Sequence, residues 1–203
     1  MTGSVDLVAQ ARAYAAEVHA GDTRKGSGEP YFEGHLEPVA RIVRRAGGDS
    51  AQVAAAYLHD AAEDHGGQHR LDDIAVRFGG DVAAIVRDLS DSLVDTARGE
   101  EKAPWLERKQ AYLESLAGKS IRSIEVAAAD KLHNASSIRD DHARLGDALW
   151  ERFTVADPAE HLWYYDRLAD VIVTRLGQAP IAVALRQVVD ELIVAVGVEP
   201  ARH

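Results

Sequence analysis

Residues 54–67 read AAAYLHDAAEDHGG, and this stretch sets what the rest of the chain has to supply. At helical spacing His59 and Glu63 stand i,i+4, as do Asp60 and Asp64, so the two pairs project from adjacent helix faces. Gly66-Gly67 then ends the helix. Asp60, Glu63 and Asp64 repel one another, and at a helix C-terminus the macrodipole disfavours each carboxylate by about 0.3–1 kcal/mol. Stability alone does not ask for this pattern. A bound cation reverses the sign of each contribution, because imidazole nitrogen and carboxylate oxygen are donors that divalent transition metals accept. The alternative is a solvated acidic helix end without a ligand.

Outward from this segment the apolar spacing stays helical. Leu7, Val8, Ala11, Ala15 and Val18 lie at intervals of one, three or four, and Val39, Ile42 and Val43 repeat the pattern. Pro38 suits the first turn of a helix that Gly47-Gly48 ends, and Pro104, Pro158 and Pro180 stand near three further starts. The spacing predicts helices at approximately 50–64, 70–78, 80–90, 104–117, 120–139, 157–176 and 180–195, with no alternating strand. The stretch SDSLVDTARGEEKA (90–103) is charged and aperiodic and reads as a surface loop, either simply solvated or a substrate lid. The expected fold is therefore an all-α bundle.

At 203 residues the chain has the length of one domain, for which roughly 100–200 residues is ordinary, and we expect residues 1–203 to form a single unit. No apolar run approaches the roughly 20 residues needed to span a bilayer. The opening MTGSVDLVAQARAYAAEVHA has neither a basic n-region nor a continuous apolar h-region, so it reads as a first helix and the expected location is the cytoplasm. The absence of cysteine leaves His, Asp and Glu as metal donors and excludes thiolate nucleophiles. A net charge of −10 opposes nucleic acid and anionic membranes as partners, so an anionic ligand needs local cations. No GxxxxGK[ST] loop, G-x-S-x-G elbow or H-E-x-x-H helix is present.

Two other polar positions stand out. Asp130 follows the small, apolar run Val126-Ala127-Ala128-Ala129, which suits close helix packing and makes an unpaired carboxylate costly; Asn134 lies one turn later on the same face. His35 sits in GEPYFEGHLEPVARI, just before a proline-marked helix start.

The order His35, His59-Asp60, Asp130 resembles the metal-binding pattern of the HD phosphohydrolase superfamily. The closer resemblance is to the hydrolase domains of RelA/SpoT-type alarmone enzymes and the small stand-alone alarmone hydrolases. It is carried by HAGDTRKGSGEPYFEGH (19–35), LHDAAED (58–64), PWLERKQAYLESL (104–116) and AADKLHNASSI (128–138), within a motif-bearing core of about residues 5–170. The resemblance implies one divalent cation, usually manganese, held by His35, His59, Asp60 and Asp130, with Glu63 and Asp64 assisting hydrolysis. It places Arg24 and Lys25 near the nucleotide base and phosphates, where an Arg plane stacks and a Lys supplies a point charge. Lys131 and Asn134 are further nucleotide contacts, and Arg108, Lys109, Tyr164 and Tyr165 are weaker candidates.

The chain departs from the family pattern at several points. Leu36 follows His35 where proline is frequent, Asp22 stands where an uncharged Gln is common, and acidic DPAEHL precedes Trp163. No ligand position is lost. The resemblance thus implies a metal-dependent 3′-pyrophosphohydrolase of guanosine 3′,5′-bis(diphosphate), without the synthetase domain of longer relatives and with a small-molecule nucleotide as its partner. Competing expectations are hydrolysis of another nucleotide (an adenosine alarmone, a nucleoside monophosphate or NADPH) and a catalytically silent nucleotide sensor. Helices at 157–195 complete the bundle or meet another copy in a homo-oligomer.

Overall fold

The computed structural model describes residues 3–203; Met1 and Thr2, at the head of the expected first helix, lie outside the described residues. Helix α1 (Gly3–Val18) is followed by a loop and a π-type turn at Phe32–Leu36, which runs directly into α2 (Glu37–Arg45). Then come α3 (Ser50–Leu58), α4 (Ala61–Asp64), α5 (Gly67–Phe78) and α6 (Gly80–Leu89). A loop with one 3-10 turn at Thr96–Arg98 leads to α7 (Trp105–Ser115), the long α8 (Ile121–Leu145), α9 (Pro158–Leu176) and α10 (Pro180–Val196). Apart from a single bridge between Thr23 and Pro30, the described residues contain no β pairing, as the periodicity predicts. No helix among them is long and apolar enough to cross a membrane.

The two helices that carry the central polar residues pack through small side chains. Ala54, Ala55 and Ala56 of α3 and Ala127, Ala128 and Ala129 of α8 are buried, which lets the backbones approach closely. A capping box starts α3: Asp49 Oδ1 accepts from the Ala51 and Gln52 amides at 2.9 Å, and Asp49 N donates to Gln52 Oε1 at 3.0 Å. Gln52 also donates to Glu125 on α8 at 2.7 Å, so one residue caps α3 and ties it to its neighbour. Helix α10 packs on α8 and α9, burying Leu185, Val189 and Leu192.

The expected helix at 50–64 is interrupted. Asp60 adopts φ −92° and ψ −10°, so α3 ends at Leu58 and α4 restarts at Ala61. On an unbroken helix consecutive side chains diverge by about 100°. The turn lets neighbouring His59 and Asp60 aim at a common point, which is why the chain gives up continuity there. The predicted helix at 120–139 continues to Leu145 and ends in 3-10 turns at Gly146–Arg152. The charged stretch 90–103 is a loop, as expected, but it is anchored at both ends of the site.

One anchor is a backbone contact at the start of α5. Gly67 has φ +57°, and a Cβ there would fall on the Leu93 carbonyl oxygen and 2.9 Å from the Val94 carbonyl carbon. The Gln68 amide donates to that same carbonyl at 2.9 Å. Gly67→Ala should therefore cost about 1–3 kcal/mol, a fall in Tm of roughly 3–10 °C. Gly47→Ala supplies the comparison, since Gly47 has φ +90° but open space around its Cβ position. Thermal melts should rank Gly67→Ala well below Gly47→Ala; equal melts would show that the loop does not press on α5.

Candidate metal centre and active site

Four side chains converge at the floor of a cleft, three of them buried and Asp60 reaching its lining. His35 enters from the π-type turn, His59 and Asp60 from the break between α3 and α4, and Asp130 from the middle of α8. His35 Nε2 lies 3.2 Å from His59 Nε2, 3.4 Å from Asp60 Oδ2 and 3.3 Å from Asp130 Oδ1. His59 Nε2 lies 3.0 Å from Asp60 Oδ2 and 3.5 Å from Asp130 Oδ1. His35, His59 and Asp130 are all buried and together form a group able to hold a cation. Donors placed about 2.1 Å from one cation stand roughly 3.0–3.4 Å apart in octahedral or tetrahedral shells, so these separations fit a shared ion.

The imidazoles are held with the correct nitrogen inward. The Ala56 carbonyl can only accept, so His59 Nδ1 donates to it at 2.9 Å and leaves Nε2 facing the cluster. His133, half-buried and next to both His35 and Arg24, is pushed down to about 4 by desolvation and those neighbours. It lies with Nδ1 3.0 Å from His35 Nδ1, and a His35 N–H donated there turns the His35 Nε2 lone pair inward. Against the opposing effect of burial, Asp60 and Asp130 raise His59 well above its ordinary range, while Lys131 and His59 hold Asp130 well below the usual carboxylate range. The donor set thus draws positive charge to its centre, and the chemistry of its atoms fits a divalent cation.

Above the cluster lies a cleft of about 560 Å³. Its lining includes Arg24, Lys25, Asp60, Glu63, Asp64, Lys131 and Asn134, so the main sequence-predicted residues come either to the cleft or to the buried cluster, whereas Arg108, a weaker candidate, does not line the cleft and is held by Asp91. Some are committed to partners. Lys131 Nζ lies 2.7 Å from Asp130 Oδ2, and Asn134 Nδ2 donates to Asp130 Oδ1 at 2.7 Å, so both orient the buried carboxylate as well as facing the cleft. Arg24 donates to the Gly34 carbonyl at 2.7 Å, holding the turn that carries His35. Lys25 is exposed at the rim.

The two carboxylates of α4 have different surroundings. Glu63 accepts from Lys102 at 3.1 Å and from the Asp91 amide at 3.3 Å, while Asp91 is itself clamped by Arg108 at 2.5 Å and Lys109 at 2.6 Å. Asp64 has no side-chain hydrogen bond among the described residues and opens to the cleft. The surrounding protein, then the charges of Asp60 and Glu63, push it up to about 7.

Sequence reasoning missed several participants. Tyr31 donates to Asp60 Oδ2 at 2.5 Å, at a position without a signal in spacing or composition, and His133, which with His65 and His69 the sequence offers only as a donor for a second metal, instead backs His35. Asp91 and Lys102 lay inside a loop read only as solvated or lid-like, and nothing local links them to Glu63. Tyr164 and Tyr165, weaker candidates from the sequence, do line the cleft.

Known proteins resemble this chain in sequence and in fold. The family model described as HD domain matches residues 11–155. Guanosine-3′,5′-bis(diphosphate) 3′-pyrophosphohydrolase MESH1 of Xenopus tropicalis is 32% identical over 141 residues, 68% of this chain and 73% of that protein. A probable guanosine-3′,5′-bis(diphosphate) 3′-pyrophosphohydrolase of Synechocystis is 34% identical over 134 residues, 65% of this chain but 17% of that longer protein. A solved structure described as a metazoan ortholog of SpoT that hydrolyzes ppGpp aligns over 93% of this chain and 94% of its own, with a TM-score of 0.67. At 23% identity that likeness is one of fold. The chain belongs to the HD-domain family, among relatives of the RelA/SpoT type.

Proposed function

We propose that the chain is a metal-dependent phosphohydrolase that removes the 3′-pyrophosphate of guanosine tetra- or pentaphosphate, giving pyrophosphate and GDP or GTP. One observation carries the reading: buried His35, His59 and Asp130 meet Asp60 at the wall of a cleft of about 560 Å³ that also carries Glu63, Asp64 and several cations. The name borne by the Xenopus relative supplies the substrate class. Residues 158–196 belong to the same domain in this reading, since α9 and α10 close the bundle behind α8. A cytoplasmic location is part of the same reading.

His35, His59, Asp60 and Asp130 would hold the cation, manganese in this reading. When bound, it supplies positive charge that offsets phosphate and lowers the pKa of water. Glu63, tied by Lys102 and the Asp91 amide, is the fixed carboxylate and positions the attacking water. Asp64, with its oxygens free, is the proton carrier: it accepts the proton of that water and returns it to the departing 3′-oxygen. Arg24, Lys25, Lys109, Lys131 and Arg152 give the cleft the local positive charge that a net-acidic protein otherwise lacks. Screening over about 8–10 Å lets these neighbours outweigh distant acidic groups.

A manganese-supplemented panel of nucleotides with identified products tests the substrate. Pyrophosphate release from 3′-pyrophosphorylated guanosine nucleotides is expected. Equal or greater efficiency on a simple monophosphate would overturn the assignment, and tight binding without turnover would make the protein a sensor.

Asp130→Ala should lower bound manganese and turnover together, because it removes a buried donor that touches both imidazoles. Full manganese content with normal turnover in that variant would discard the ligand set. Glu63→Gln and Asp64→Asn keep shape but remove charge, so manganese should remain bound while kcat falls by about 10²–10⁴-fold with little change in substrate affinity. Near-normal kcat in both variants, measured at matched metal content, would sink the mechanism.

A further inference from the structure

A second set of donors closes on another wall of the cleft. The His19 side chain is fully enclosed, and its Nδ1 lies 2.9 Å from Asp22 Oδ2. His65, reached through the C-terminal turn of α4, brings Nε2 to 2.6 Å from the same oxygen. Both contacts are hydrogen bonds, which a shared cation would replace by drawing the donors to roughly 3 Å apart. One ligand atom from each of the three residues lies within 4.8 Å of the others. The Tyr31 ring stands between this group and the first, with its centroid 5.3 Å from that of His19 and 5.2 Å from that of His35.

We propose that His19, Asp22 and His65 form a second divalent-cation site, one that takes a first-row transition cation through two imidazole nitrogens and one carboxylate oxygen. Two His and one carboxylate leave coordination positions open, the donor set of Zn²⁺ and related ions at sites that also accept water or an anion. The positions are pre-set by the backbone. The Asp22 amide donates to the His19 carbonyl at 3.0 Å, and the Tyr31 amide donates to the Asp22 carbonyl at 2.9 Å, so the loop bearing the carboxylate is pinned at both sides. An ion has a route in, because Asp22 and His65 line the cleft and are each about one third exposed (34% and 33%). Asp22 and His65 line the cleft in which an anionic ligand would lie, and the site depends on Asp22, where an uncharged side chain would supply no anionic donor. The inference holds whatever nucleotide the cleft accepts.

Metal counting decides it. The full chain is stripped with a chelator, titrated with Zn²⁺ by calorimetry and assayed for metal retained after desalting, with circular dichroism confirming the fold of each variant. Wild type should bind two equivalents, whereas Asp22→Asn and His65→Gln should each bind one, with affinity for the other weakened by at least about 100-fold. Asp130→Ala should keep one equivalent, and the Asp22→Asn/Asp130→Ala double variant none. A single equivalent in wild type, or two in both Asp22→Asn and His65→Gln, would overturn the proposal and leave Asp22 as no more than a hydrogen-bond acceptor for two imidazoles.

Discussion

Two imidazoles 3.2 Å apart, each 3.0–3.5 Å from the carboxylates of both Asp60 and Asp130, are the constraint to which the bundle is fitted. Burying such groups is unfavourable unless each has a partner. The helices around them supply those partners in detail: the Ala56 carbonyl for His59, His133 for His35, Tyr31 for Asp60, and Lys131 with Asn134 for Asp130. Alanines on α3 and α8 follow from the same need, since larger side chains would hold the two backbones too far apart for His59 and Asp130 to meet. The capping contact from Gln52 to Glu125 fixes the same helix pair from its other end.

A protein of net charge −10 that handles a polyanion must confine its favourable field to a small volume. The cleft does this by neutralising its own acids in different ways. Asp91 is clamped between Arg108 and Lys109, which hold it below the usual carboxylate range despite burial. Asp130 is matched by Lys131. Asp64 alone faces the cleft without a fixed partner among the described residues, and desolvation by the cleft walls, then the charges of Asp60 and Glu63, push it up to about 7. The geometry therefore separates carboxylates that shape the site from the one free to exchange a proton.

Much of this was legible in the sequence because it is written in local spacing. The Pro and Gly punctuation predicts most element bounds within a few residues, whereas the i,i+4 pairs from His59 to Asp64 predict one unbroken helix that the structure divides, and the helix bearing Asp130 runs six residues past the expected 139. What local spacing cannot encode is convergence across distant segments. Tyr31 and Asp60 are 29 residues apart, His35 and His133 are 98 apart, and each pairing exists only once the turn at Phe32–Leu36 and helix α8 are docked. The break at His59-Asp60 was equally hidden, because alanine-rich flanks favour an uninterrupted helix and only the tertiary demand on both side chains overrides that preference.

The charged loop 90–103 shows how such long-range demands give an aperiodic segment a definite place. Its Leu93 carbonyl receives the Gln68 amide where only glycine fits at position 67, its Asp91 amide reaches Glu63, and its Lys102 returns to the same carboxylate. Asp91 then extends the chain of contacts to Arg108 and Lys109 on α7, which carries Lys109 to the cleft wall over the Tyr164 ring at 4.9 Å. A displacement of the loop would therefore move Glu63 and the cationic wall together. The loop's charges, which in the sequence look like solvation, are the fasteners that set the two carboxylates of α4 in unequal surroundings.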